Sequence, residues 1–545
     1  MDDTRRPGPR PLGQHKVDSL GARAAVSASH PAITMEGARV LADGGNAVDA
    51  TLAMAAVGWM VLPGQCGIGG DAFVLVREPD GRVWTLGGSG FGPDGGTADF
   101  FRGQGLSALP LSGAQSVTVP GAPAALARLA EHASRPLGDL WRTGIALARE
   151  GFACTAKTRA DLAEHHQSLA ADEGAAAAFL PHGRLPAVGE LLLQTELADF
   201  LTGLADDPMS FYDGPFAARA LECLTAGGAP FSGREWLLGA DVAVAPAISH
   251  PYGAGVVHQT PLPTPGWMML QQAALCDGVL ADTPLLGAEA IHWLASAART
   301  AFTDRYAECA ADNDRWRQLL EPERVSSARR QIRARAPDRS ALAGVRIDGD
   351  TTSTVCVDRE GRAVSFIHSL AFTFGARLTV PGTGVLLGNR LGRGAYLVDG
   401  HPNEVRPRRK PLHTLNAWAF DRPDEGLVHV GNCPGGDGQV QWNMQVLSHL
   451  VDHGLTPQQA VALPRFTVYP GSDANVVGRP EELRCEPGID DDTLATLRRW
   501  GHRVVEVPPQ RGGPGGSALV VGVDQRHGTL RAGADPRMEG IALAL

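Results

Sequence analysis

The residue that could carry chemistry is a threonine, Thr351, placed where the chain changes character. A Thr hydroxyl is a weak nucleophile unless a base lies beside it, and a Thr at the head of a chain has one built in, its own α-amine. That arrangement needs a peptide cut immediately before the Thr and a rigid strand start after it. Asp350-Thr351 meets both requirements: a polar junction precedes the Thr and β-branched sequence follows, Thr351-Thr352-Ser353-Thr354-Val355-Cys356-Val357. A turn at Asp358-Arg359-Glu360-Gly361 leads into a second strand-like run over residues 363–369, so the pair reads as a β-hairpin. On composition alone, Thr-Thr at a strand start is far more often plain β-sequence than a nucleophile.

Other clusters carry weaker chemistry. Gly67-Ile68-Gly69-Gly70-Asp71 lacks the Lys-Ser/Thr of a phosphate loop and does not follow a strand, so it reads as a structural turn that approaches the active site. The 17 His form no HExxH motif, and His165-His166 reads as a helix surface. The eight Cys are scattered with no CxxC pair. Neither a metal nor a cofactor is expected.

Around the junction, residues 24–57 read as helical: His30-Pro31 opens one helix, Gly44-Gly45 stops it, and Asn46 caps a second. A strand is expected over residues 72–76. Residues 121–338 are Ala/Leu-rich and read as mostly helical, closed by a charged stretch over residues 321–339 expected as an exposed helix and then a loop. From Thr351 the chain turns β-rich. The helical period returns over residues 439–461. A helix over residues 490–500 and strands over residues 504–507 and 518–523 follow.

The 545 residues are 43% hydrophobic and 20% charged, ordinary globular composition. The net charge of -10 argues against nucleic acid as a partner. No apolar run is long enough for a membrane span. Residues 1–22, with charges and prolines, read as a disordered leader rather than a secretory signal, from which a cytoplasmic location is expected.

The separated motifs together resemble the gamma-glutamyltransferase family. Ala38, Leu41, Gly44-Gly45-Asn46-Ala47-Val48-Asp49-Ala50, Pro63 and Gly67-Ile68-Gly69-Gly70 are similar to its large subunit. Thr351-Thr352, Val357-Asp358, Gly361, Ala363-Val364-Ser365, Phe374-Gly375, Pro381-Gly382-Thr383-Gly384, Cys433-Pro434-Gly435-Gly436, Ala460-Val461, Pro464-Arg465-Phe466 and Asp535-Pro536-Arg537 are similar to its small subunit. The resemblance runs from about residue 22 to the end. It implies the α+β fold of the N-terminal-nucleophile hydrolases, a four-layer αββα sandwich. It also implies a zymogen that cuts itself at Asp350-Thr351 into a large segment (residues 23–350) and a small one (351–545). The two would stay together as a heterodimer forming one αββα unit. Thr351 would attack an acyl carbonyl, Gly435 and Gly436 would form the oxyanion hole, and Ser369 would orient the nucleophile.

Matched against the family's amino-acid head-group site, the sequence departs. The large-subunit Arg falls at Ser89, the Asn at Ala371, the Gln at Arg390, the Asp at Arg393, and the paired Ser at His413-Thr414. Arg390 and Arg393 would repel an ammonium group and suit a carboxylate, against the plainer reading of a solvated basic loop. Glutathione and γ-glutamyl substrates are therefore not expected. The pattern is nearer the acylase and oxamate amidohydrolase branches, with a small-molecule amide or oxalyl-type substrate. The alternatives are a C–C hydrolase releasing an oxalyl unit, a gamma-glutamyl or acyl transferase, and an unprocessed non-catalytic relative.

Overall fold

The computed structural model describes residues 17–333, 351–469, 481–508 and 516–545. Asp350, the residue before the expected cut, lies outside them.

The strands that build the core are β1 (Ser19–Gly21), β2 (Ala25–Ala28), β3 (Asp71–Arg77), β4 (Val83–Gly88), β5 (Val244–Pro246), β6 (Ile248–Tyr252), β7 (Gly255–Gln259), β8 (Thr352–Val357), β9 (Ala363–Ser369), β10 (Ala417–Arg422), β11 (Gly426–Asn432), β12 (Leu519–Asp524), β13 (Thr529–Ala534) and β14 (Ile541–Ala544). They form two seven-stranded sheets. One has the order β14-β2-β8-β9-β3-β4-β5, the other β1-β13-β12-β11-β10-β7-β6. The expected hairpin is β8–β9, and it sits at the centre of the first sheet, between β2 and β3 of the N-terminal segment.

Side-chain alternation sorts these strands into layers. Val355 and Val357 of β8, Ile367 of β9 and Phe73 and Leu75 of β3 point inward against Ala417, Ala419, Val430, Leu519 and Val521 of the second sheet. Their neighbours Cys356, Val364, Val74 and Val76 point outward into a helical layer built on α1 (Pro31–Ala42) and α2 (Ala47–Val61). The second sheet turns Val257, Trp418, Phe420 and Val520 outward onto α3 (Gly266–Cys276), α4 (Ala288–Ala307) and α5 (Gln439–Val451). The result is the expected αββα sandwich. Because both faces of the sheets are covered, β3 is buried at all seven positions, and its interior, Ala72-Phe73-Val74-Leu75-Val76, reads as a continuous apolar run.

Asn46 caps α2 as expected, in a full capping box with Asp49. Three expectations need correction. Ser19–Gly21, inside the expected leader, pair with β13, whose edge would otherwise be unpaired. Ala25–Ala28, read as helical, form β2, because the strand slot beside β8 outweighs the helix propensity of alanine. Residues 244–259, inside the stretch read as mostly helical, supply β5, β6 and β7. Their signal is faint, Ile248 before and Val256-Val257 after Gly253, which takes φ 54° in the β6–β7 turn.

Candidate active site

Strand register brings four polar residues into one row. Thr351 precedes β8 and is 3% exposed; its hydroxyl donates to Ser369 Oγ at 3.2 Å. Ser369 ends β9 and stands directly opposite Asp71 of β3. One step beyond the Ala72–Gly88 pair of β3 and β4, the same register sets Asp71 opposite Ser89. Directly opposed residues share a face, so Thr351, Ser369, Asp71 and Ser89 line up across four neighbouring strands. By alternation from Val355 and Phe73, that face is the inward one. Ser369 Oγ also accepts from the Ala371 backbone N–H at 2.9 Å, which fixes the hydroxyl that receives the Thr351 proton.

The backbone of Thr351 is held from the N-terminal segment. The Gln65 carboxamide is satisfied at both ends only when its nitrogen faces Thr351 O (3.2 Å) and Thr352 Oγ1 (3.1 Å) and its oxygen faces Lys157 Nζ (3.3 Å). Lys157 in turn pairs with Asp161 at 2.8 Å. Neither Gln65 nor Lys157 stands out in the sequence, because their role depends on the turn before β3 and a helix some 90 residues on meeting at the strand head.

Beside the row lies a buried charge cluster. His413 Nδ1 accepts from the Leu415 N–H at 3.3 Å, so the ring proton sits on Nε2 and donates to Asp71 Oδ2 at 2.9 Å. Burial pushes the His413 pKa down to about 4. Arg390, 1% exposed, reaches the same Asp71 oxygen through Nε at 3.3 Å. Burial pulls the Arg390 pKa to about 10, with Asp71 working against the fall. Burial alone would raise the Asp71 carboxyl; the His413 hydrogen bond and the Arg390 charge outweigh it and hold the group below its ordinary value. Arg393 pairs with Asp437 at 3.0 Å and stacks over the Phe372 ring at 4.5 Å. Arg305 of α4 takes the other Asp437 oxygen. Thr414 is buried next to His413.

Burial excludes the solvated-loop reading of Arg390 and Arg393. The charge balance also differs from that of a bare arginine pair, since Asp71 and Asp437 each accompany one guanidinium. Both carboxylates follow glycine motifs that are plain in the sequence, but nothing local marks them as partners of arginines 319 and 44 residues away. Several buried polar atoms have no partner among the described residues: both Nη atoms of Arg390, Oδ1 of Asp71 and Oγ of Ser89. Such atoms are destabilising unless something fills the space between them.

Gly435 and Gly436 turn the chain between β11 and α5 with φ 133° and 57°. A Cβ on Gly435 would stand 2.3 Å from the Trp442 ring, so only glycine fits. Neither glycine N–H donates to a group among the described residues. Asp437 follows at once, so the turn and the Arg393–Arg305 pairing are one unit. Asn432, three residues upstream, donates across the sheets to Thr354 O at 3.3 Å and ties this strand to the one Thr351 heads.

An αββα sandwich with a hydroxyl residue heading a central strand defines the N-terminal-nucleophile hydrolase class. Within it, residues 34–545 match the gamma-glutamyltranspeptidase family model, and the chain belongs to that family. It is 31% identical over 540 residues to the glutathione hydrolase-like YwrD proenzyme of Bacillus subtilis, covering 96% of this chain and 99% of that one. It is 30% identical to the oxamate amidohydrolase proenzyme of Klebsiella pneumoniae, covering 94% and 97%. The crystal structure of cephalosporin acylase from Bacillus halodurans superposes with a TM-score of 0.87 at 27% identity, covering 99% of both chains. The chain is therefore an enzyme, a hydrolase of the N-terminal-nucleophile type.

Proposed function

We propose that the protein cuts itself at Asp350-Thr351 and then hydrolyses an amide whose acyl half is a small anion, with Thr351 as nucleophile. Once freed, the Thr351 α-amine takes the hydroxyl proton as Oγ1 attacks the acyl carbonyl. The N–H groups of Gly435 and Gly436 receive the developing oxyanion, and Ser369 fixes the direction of attack. The amine passes its proton to the departing nitrogen, leaving an ester on Thr351. Water, deprotonated by the same amine, attacks that ester and releases the acid. The two segments remain associated because β8 and β9 pair between β2 and β3 in one sheet.

What carries this reading is the row Thr351–Ser369–Asp71–Ser89 with the unpartnered guanidinium nitrogens of Arg390 beside it. A carboxylate on the acyl group would satisfy those nitrogens two at a time. The likeness to an oxamate amidohydrolase points to the same class of acyl group. Intact mass and N-terminal sequencing of the purified protein test the reading. Two chains are expected, the smaller beginning Thr-Thr-Ser-Thr, with turnover of oxamate or an N-oxalyl amine. A single uncut chain that turns over neither overturns it.

A further inference from the structure

The turn Gly435-Gly436-Asp437-Gly438 is held at two kinds of point. One is the Trp442 ring, which a Cβ on Gly435, Gly438 or Gly516 would meet at 2.3, 2.1 and 2.5 Å. Trp442 Nε1 donates to Thr467 Oγ1 at 2.8 Å and so fixes the ring. Gly438 N–H donates to Gly435 O at 3.2 Å and closes the turn. The other is Asp437, which alone of the four residues has a side chain. Its Oδ1 accepts from Arg305 Nη1, and its Oδ2 accepts from Arg393 Nη2 at 3.0 Å. All three side chains are buried. Burial would raise the Asp437 carboxyl, but the Arg305 and Arg393 charges outweigh it and hold the group below its ordinary value. The clamp is therefore ionic throughout.

Two successive glycines have little preference of their own for φ 133° and 57°. The direction of their N–H groups must be set from outside. The ring fixes the turn at Gly435 and Gly438, and between those points only the Asp437 side chain reaches other elements. Arg305 comes from α4, before the expected cut. Arg393 comes from the short helix Arg390–Gly394, after it. A lone carboxylate this close to a developing oxyanion would oppose it, and two guanidiniums turn the group into one of net charge +1.

We propose that Asp437, clamped by Arg305 and Arg393, is the positioning residue of the oxyanion turn. It aims the Gly435 and Gly436 N–H groups and touches no substrate. Arg393 is thereby assigned to the turn, and the acyl carboxylate is left to Arg390. The assignment rests on the oxyanion reading of the two glycines given above.

The test compares two substrates: oxamate, and p-nitrophenyl acetate, a neutral activated ester that acylates Thr351 without an acyl carboxylate. Thr351→Ala supplies the background for the ester. Asp437→Asn keeps the shape but turns an NH2 toward one guanidinium. It is expected to lower kcat for oxamate about tenfold or more, with KM within about twofold, and to slow ester acylation by a similar factor. Arg305→Met and Arg393→Met should do the same. Arg305→Lys, which keeps a cation beside Oδ1, should be milder. A loss in Arg393→Met confined to oxamate and carried in KM would overturn the assignment, because Arg393 would then bind the acyl carboxylate. A rise in kcat for Asp437→Asn would also overturn it, since net charge and not aim would matter. So would unchanged rates. Should every variant stay uncut or unfolded, the clamp serves folding or maturation, and the assignment falls. Wild-type protein that is acylated by the ester but spares oxamate would reject the acyl reading alone. Wild-type protein acylated by neither would remove the oxyanion reading and this assignment with it.

Discussion

Arg390 meets Asp71 through Nε, at 3.3 Å, and keeps both Nη atoms unpartnered in a site where the residue is 1% exposed. The pairing holds the guanidinium plane from behind and turns the fork outward. A buried charge with four of its five N–H donors unused is tolerated where a ligand completes it. Asp71 thus serves as the anchor that lets Arg390 face an anion.

Replacing Arg390 with Met should remove that fork and leave Asp71 with only His413. Hydrogen bonds to charged groups contribute about 1.5–3 kcal/mol each, so kcat/KM for an anionic amide should fall by about 100-fold or more. Arg390→Lys should recover part of it, since a point charge cannot grip both oxygens. Steady-state kinetics with oxamate and N-oxalylglycine against a neutral amide read this out. An unchanged ratio would remove Arg390 from the substrate site.

The proposed nucleophile is checked by Thr351→Ala, which should abolish both cleavage and activity, and by Thr351→Ser, which should keep some of each. Mass spectrometry and turnover measure the two effects separately. Fully cut, active Thr351→Ala protein would contradict the assignment.

How much of this was legible in the sequence follows from where each signal resides. The β8–β9 hairpin, the Asn46 cap and the strand after Gly70 are local patterns, set by β-branched residues, turns and a capping box, and they read correctly. The αββα layering came through the resemblance, since periodicity alone does not say which strands pair. Ala25–Ala28 misled because alanine favours helix until a neighbouring strand supplies the ladder. Arg390 and Arg393 were visible as charges, but their burial and their partners Asp71 and Asp437 lie 319 and 44 residues away. Such pairs are fixed by tertiary packing alone.

The buried His413 gives a pH signature. Its folded pKa of about 4 lies below the unfolded value of about 6.5. The unfolded chain therefore binds the proton first, so stability is full above about pH 6.5 and is lost as the pH falls toward 4. At pH 5 the loss from this group alone should be roughly 2 kcal/mol, at 1.36 kcal/mol per unit. His413→Gln, which can still donate to Asp71, should show a smaller drop in Tm between pH 7.5 and 5 than the wild type. Equal drops would mean that the other buried histidines carry the whole effect.

Gln65 and Lys157 make the last case, because their contacts reach the proposed nucleophile from the opposite segment. Gln65 donates to Thr351 O and Thr352 Oγ1, and Lys157 polarises the Gln65 amide from its far end. A polarised donor on that carbonyl fixes the plane of the residue whose amine and hydroxyl must align with the substrate, where small displacements matter greatly. It touches no substrate, so its loss should appear in kcat and not in KM. Gln65→Ala is expected to lower kcat about tenfold with KM within about twofold. Gln65→Glu, which presents an oxygen to the Thr351 carbonyl, should be worse despite its shape. Lys157→Met should reproduce a milder form of the defect, since it leaves the amide in place but unpolarised. A Gln65→Ala enzyme with normal kcat and altered thermal stability alone would reduce the contact to packing. Normal kcat in Lys157→Met with a defective Gln65→Ala would confine the positioning role to the amide itself.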